Sequence, residues 1–218
     1  MHPGVWIGDN FENAERRVLI LGESHYDTSK DKNNVGKVTF TTRGVIETYL
    51  REKTYPFFTK IANTFGYESD EEIHKFYNLI CFGNYVNVVV DKDGEKNGSY
   101  FIEKFRQEYN KELIQFCNEQ FIDIIACFSI KTYDYLPSGG QKEEEYVITR
   151  KKGNPIKTRK WSYKKGTVVS DSMALDKDLL VYGIWHPSTS GGYDAKLEYE
   201  EYIKDQQELK WLCNKSAI

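Results

Sequence analysis

Arg16-Arg17-Val18-Leu19-Ile20-Leu21-Gly22-Glu23-Ser24-His25-Tyr26 is the stretch on which the fold turns. Two arginines lead into four consecutive aliphatic residues, and a glycine closes the run. A segment that is apolar at every position, instead of every second one, suits a short strand buried on both faces, as in a parallel sheet. The polar residues that follow would then sit in the loop beyond its carboxyl end, where open α/β sheets hold their ligands.

Outward from this strand the pattern alternates. A polar loop runs from Asp27 to Val38, and Thr42 caps a short helix through Leu50. Pro56 opens a second helix with Phe57, Phe58, Ile61, Ala62 and Phe65 along one side, stopped by Gly66. Ser69 and Glu72 spell a capping box for a third helix ending near Ile80. Asn84 to Val90 reads as a second strand, and Phe101, Phe105, Tyr109, Leu113 and Phe116 mark a long amphipathic helix. Phe121 to Phe128 and Leu179 to Trp185 are the third and fourth buried strands, and Tyr199, Tyr202, Ile203, Leu209 and Cys213 mark a C-terminal helix. Strands separated by helices predict a three-layer α/β/α domain over residues 1–218, built on a four-stranded, mainly parallel sheet. Residues 137–178 break the rhythm. There, Tyr146-Val147-Ile148 and Ile156 to Tyr163 flank Gly153-Asn154-Pro155, which predicts an inserted β-hairpin with a basic tip.

Composition narrows the class. With 39% hydrophobic, 29% charged and 15% aromatic residues in 218, the chain is a folded globular protein of one domain. No apolar run approaches the ~20 residues that span a bilayer, and the N-terminus lacks a signal-peptide pattern. Cys81, Cys117, Cys127 and Cys213 form no C-x-x-C pair, so reduced core thiols are expected in a cytoplasmic monomer, without metal or cofactor. The net charge of −3 hides a block between Val147 and Lys165 that holds eight Lys/Arg residues and no acid. These are Arg150, Lys151, Lys152, Lys157, Arg159, Lys160, Lys164 and Lys165. Such a block on an acidic body suggests a localised polyanion contact.

The strand-end rule selects four loops: Gly22 to Asp27, the region of Asn84 and Asn87, Ser129, and His186-Pro187-Ser188-Thr189-Ser190-Gly191-Gly192. Taken singly, each residue has an ordinary structural role. His-Pro makes a turn, because proline holds its predecessor extended, and Glu23 or Ser24 can cap the next segment. Taken together, the first and last loops supply a carboxylate, a hydroxyl and two imidazoles at matching strand ends.

In that order these motifs resemble the uracil-DNA glycosylase superfamily from Val18 to about Tyr193. Gly22-Glu23-Ser24-His25-Tyr26 is similar to its first motif, which reads Gly-Gln-Asp-Pro-Tyr in one branch and Gly-Glu-Ala-Pro-Gly in another. His186-Pro187-Ser188 matches the start of its second motif, and Tyr85-Val86-Asn87-Val88-Val89 its middle strand. Ser24 stands where one branch has its catalytic Asp, and His25 replaces the proline. The resemblance implies a DNA glycosylase that hydrolyses the N-glycosidic bond of a flipped base, in repair or in defence against modified foreign DNA. His186, Glu23 and Ser24 would be catalytic, and Tyr26, Phe40, Asn84 and Asn87 would form the base pocket. DNA, single- or double-stranded, would be held by Gly22, Ser188, Gly191, Gly192, Tyr193, Lys157, Arg159, Lys160 and Trp161.

Two other readings stay open. Gly22-Glu23-Ser24 also resembles the Gly-Asp-Ser motif of SGNH ester hydrolases, with Ser24 as nucleophile and His186 as base, although Gly183 stands where that family has an Asp. The third reading is a catalytically silent DNA-binding module of the same fold.

Overall fold

A computed structural model describes residues 4–27, 33–37, 42–91, 94–148, 156–170, 173–188 and 193–214. The strands are β1 (Trp6–Ile7), β2 (Val18–Gly22), β3 (His25–Tyr26), β4 (Cys81–Asn84), β5 (Val89–Val90), β6 (Ile124–Cys127), β7 (Gln141–Ile148), β8 (Ile156–Tyr163), β9 (Val168–Ser170), β10 (Met173–Ala174) and β11 (Leu179–Gly183). The helices are α1 (Thr42–Glu52), α2 (Pro56–Thr64), α3 (Asp70–Leu79), α4 (Gly98–Glu119), α5 (Ile130–Tyr135), α6 (Ala195–Glu201) and α7 (Lys210–Cys213).

The fold is α/β, and its central sheet is mixed. Seven strands run in the order β1-β4-β2-β6-β11-β8-β7. This corrects the expected four-stranded sheet. The four interior strands β4, β2, β6 and β11 are mutually parallel, whereas β1 adds antiparallel at one edge and β8 and β7 at the other. The hairpin predicted as an insertion therefore continues the sheet, with Leu179 opposite Tyr163 and Gly183 opposite Arg159. Its tip lies outside the described residues.

Period-two alternation decides which layer each side chain joins. Val18 and Ile20 of β2 enter one core with Phe82, Ile124, Ala126 and Tyr182, beneath residues of α1, α2, α3 and the C-terminal segment. Leu19 and Leu21 point the other way, to Cys81, Ile125, Cys127 and Val181, beneath α4 and α5. All five β2 residues are buried, because both faces are covered.

Local signals placed several helices well. The Ser69–Glu72 capping box at the start of α3 is complete in both directions. Other boundaries moved. The second strand is Cys81–Asn84, so Asn84 ends it instead of starting it, and Val89–Val90 pairs in parallel with His25–Tyr26. The C-terminal helix is broken into α6, two 3₁₀ turns and α7. All four cysteines are free thiols. Among the described residues no helix is long and apolar enough to cross a membrane.

Candidate functional site

Parallel strands bring their carboxyl ends to one edge of the sheet. Chain order is broken there between β2 and β6, because β4 lies on one side of β2 and β6 on the other. At such a switch point the flanking loops diverge and leave a crevice. Glu23 follows β2 and Ser129 follows β6, and the Ser129 hydroxyl donates to Glu23 Oε2 at 3.1 Å. The same Ser129 oxygen accepts the Thr132 amide and caps α5. The other carboxylate oxygen, Oε1, packs on Gly98, the first residue of α4, where a Cβ would come within 2.3 Å of it. α4, which is kinked at Phe105, thus begins against the Glu23 carboxylate, the end at which negative charge is favoured.

The loop after β2 is fixed by backbone bonds on two sides. The Val86 amide donates to the Glu23 carbonyl at 2.9 Å, and the Asp27 amide to the Val90 carbonyl at 2.9 Å. His25 Nε2 pairs with Thr42 Oγ1 at 2.8 Å, and burial lowers its pKa to about 4. Tyr26 lies in the crevice, its hydroxyl pKa raised by burial and by the Glu23 charge. Gly22 has a local reason. A Cβ there would meet Asn84 Oδ1 at 2.4 Å, so the missing side chain makes room for the Asn84 carboxamide.

His186 completes the crevice from β11. Its ring packs on Phe57 of α2, with centroids 5.3 Å apart. Lys60, one turn further along α2, donates to the Pro187 carbonyl at 2.9 Å and fixes the turn. The Ser188 amide donates to His186 Nδ1 at 3.1 Å. An accepting Nδ1 carries no proton, so the neutral ring carries its proton on Nε2. Burial first, and then the Lys60 charge, lower the His186 pKa to about 4, so the imidazole is neutral at ordinary pH.

Two adjoining cavities result. One, of about 340 Å³, is lined by Tyr55, Phe57, Phe58 and Phe82 together with Asn84 and Ser24. The other, of about 490 Å³, is lined by Ser129, Ile130, Lys131, Asp134 and Trp185. Glu23, Tyr26 and His186 line both. A neutral imidazole donor and a clamped carboxylate beside an aromatic chamber can polarise a leaving group on one side and serve water on the other.

The structure brings together Glu23, Ser24, Tyr26, Asn84, His186 and Ser188 of the sequence-predicted residues. Asn87 turns elsewhere, its amide donating to Glu112 Oε2 at 2.8 Å. Tyr193 is a core residue, 8% exposed, with its hydroxyl 2.6 Å from Thr64 Oγ1. Arg159 and Lys160 face acids instead of an open surface: Arg159 pairs with Asp134 and Glu145, and Lys160 with Glu143 and Glu208. Trp161 packs against Tyr133. Phe40, Gly191, Gly192 and the Lys157 side chain lie outside the described residues. Among the described residues Ser24 Oγ makes no hydrogen bond to His186, so no Ser24–His186 dyad of an ester hydrolase is assembled.

Sequence reasoning missed Phe57, Lys60, Ser129 as a clamp, and Gly98. Phe57 had a readable signal in Tyr55-Pro56-Phe57-Phe58, four residues with three aromatic rings at a helix start. Gly98 and Lys60 had none, because their roles depend on residues distant in the chain. Among the described residues no three His, Cys, Asp or Glu side chains cluster to hold a metal ion. No protein-family model matches the chain, and no curated protein is similar to it at a significant level.

Proposed function

We propose that the protein is a DNA glycosylase, hydrolysing the N-glycosidic bond of a base turned out of the DNA stack. The observation that carries this reading is that Glu23 and a neutral His186 share the wall between an aromatic chamber and a second cavity that holds Ser129, Lys131 and Asp134. Four central parallel strands with helices on both faces support the uracil-DNA glycosylase-like arrangement that the motifs imply.

Breaking the bond leaves its electron pair on the base and positive charge on the sugar. In this reading His186 Nε2–H donates to the base oxygen on which negative charge grows, the geometry in which a preorganised donor is most effective. A neutral donor suits that task, since it lowers the barrier without having to surrender its proton. Glu23 faces the sugar, offsets its positive charge and accepts a proton from the water that attacks C1′. The aromatic chamber takes the planar base, with the Asn84 carboxamide at its edge, as enzymes that act on extruded bases require.

The test is single-turnover base release from duplex and single-stranded DNAs carrying uracil, hypoxanthine or hypermodified bases. Release of a free base from at least one of them, lost in Glu23→Gln, is expected. Tight DNA binding with no release from any would move the protein to the silent-module class.

A further inference from the structure

The two chambers differ in the charged groups they carry, and that difference suggests how a nucleotide would lie. The smaller is walled by Val45, Tyr55, Phe57, Phe58 and Phe82, a setting for a flat heteroaromatic ring. The larger, walled in part by Ile130 and Trp185, also holds Lys131, Asp134 and Ser129, which can meet charged and hydroxylated groups. With the base in the first chamber and the scissile bond over Glu23 and His186, the sugar and its phosphate enter the second.

Charges facing the second chamber are not equivalent. Asp134 Oδ1 accepts from Arg159 at 2.5 Å and is thereby matched within the protein. Glu23 is held by Ser129 on the wall shared by both cavities. Lys131 lines the second chamber and not the first, is exposed, and among the described residues donates to the Ser99 hydroxyl and to no carboxylate. A lysine held by a neutral hydroxyl is not matched by a carboxylate within the protein, and an ammonium recognises phosphate as a point charge.

We infer that this chamber is a phosphate subsite, with Lys131 binding the phosphate that adjoins the nucleoside whose base fills the aromatic chamber. The inference rests on the N-glycoside reading of the shared wall. It adds the direction in which the substrate lies and a preference for nucleotides over nucleosides.

The experiment titrates the full chain with 2′-deoxyuridine and 2′-deoxyinosine, each as nucleoside and as 3′,5′-bisphosphate, by calorimetry at low salt. At least one bisphosphate should bind about tenfold more tightly than its nucleoside, the gain from one charge-assisted contact. Lys131→Met should erase most of that gain and leave nucleoside binding unchanged, whereas Lys131→Arg should keep it. Equal affinity of nucleoside and bisphosphate, no binding by any of the four, or a Lys131→Met variant that binds as wild type would each overturn the subsite. Two results separate it from the functional reading. A Lys131-dependent phosphate preference without base release from any DNA retains the subsite and removes the glycosylase activity. Base release with an unaltered KM in Lys131→Met retains the activity and removes the subsite.

Discussion

His186 is kept neutral by burial and by the Lys60 charge, and its one proton is kept on Nε2 by the Ser188 amide. Removing a donor of this kind typically costs ~10²–10³ in rate. On the glycosylase reading, His186→Ala should therefore lose base release by about that factor while holding DNA with little change, read by single-turnover release and fluorescence polarisation. With its pKa at about 4, His186 adds no titration to the rate between roughly pH 5.5 and 8, where a solvated imidazole would show one near 6.5. A wild-type rate step near pH 6.5 that vanishes in His186→Ala would contradict the neutral donor. The glycines beside the site give sharper probes. Gly98→Ala places a Cβ 2.3 Å from Glu23 Oε1, so the carboxylate has to move. Alanine is a better helix former than glycine, so this variant should keep its melting temperature and lose kcat, with KM little changed. Gly22→Ala instead pushes on Asn84, 2.4 Å away, and on the same reading should raise KM for the base proposed to meet that carboxamide.

At the scale of elements, the β7–β8 hairpin carries the largest difference between reading and structure. Tyr146 to Ile148 and Ile156 to Tyr163 announced two strands, but nothing local announced that they would extend the main sheet. Glu145 and Glu143 of β7 meet Arg159 and Lys160 across the hairpin itself, whereas Asp134 of α5 and Glu208 near the C-terminus reach them only once the sheet is assembled. Lys160 is 11% exposed at its side chain and its ammonium also lies over the Tyr182 ring. These pairings favour a structural role for the two residues over the DNA contact expected from the sequence. Lys160→Gln should leave Glu208 without its cation and cost on the order of 1–3 kcal/mol of stability. Urea unfolding should show that loss, with DNA affinity and its salt dependence little changed. A large drop in affinity at unaltered stability would restore these residues to the nucleic-acid surface. The loops after β2 and β11 were legible because their signals are short-range: an apolar run, a glycine, and a His-Pro turn. The α2 support of His186 was not, since Phe57 meets it only through the crossover that lays α2 over the sheet.

Across the whole molecule, the sheet separates two cores and the site lies at its edge, where the parallel strands end. Two histidines are carried into that edge in neutral form, His25 on Thr42 and His186 on Phe57, each with its pKa lowered by burial to about 4. The unfolded chain protonates the same imidazoles near 6.5. Below that pH the unfolded state binds more protons than the folded one, so stability falls as pH falls. The sign follows directly: the stabilisation from neutral burial is complete above about pH 6.5 and is lost progressively down to about pH 4. A depression of about 2.5 units corresponds to roughly 3 kcal/mol for each histidine, a sizeable part of the ~5–15 kcal/mol that holds a domain together. Carboxylates titrate lower, so the upper part of this window belongs to the imidazoles. Urea-unfolding free energies measured at intervals from pH 8 to pH 4.5 should be flat above pH 7 and decline steadily below pH 6.5. Replacing His25 and His186 by glutamine removes the protons taken up on unfolding, and the double variant should show a flat profile over the same range. A decline of the same slope in that variant would mean that other groups carry the acid sensitivity and that the two imidazoles are solvated.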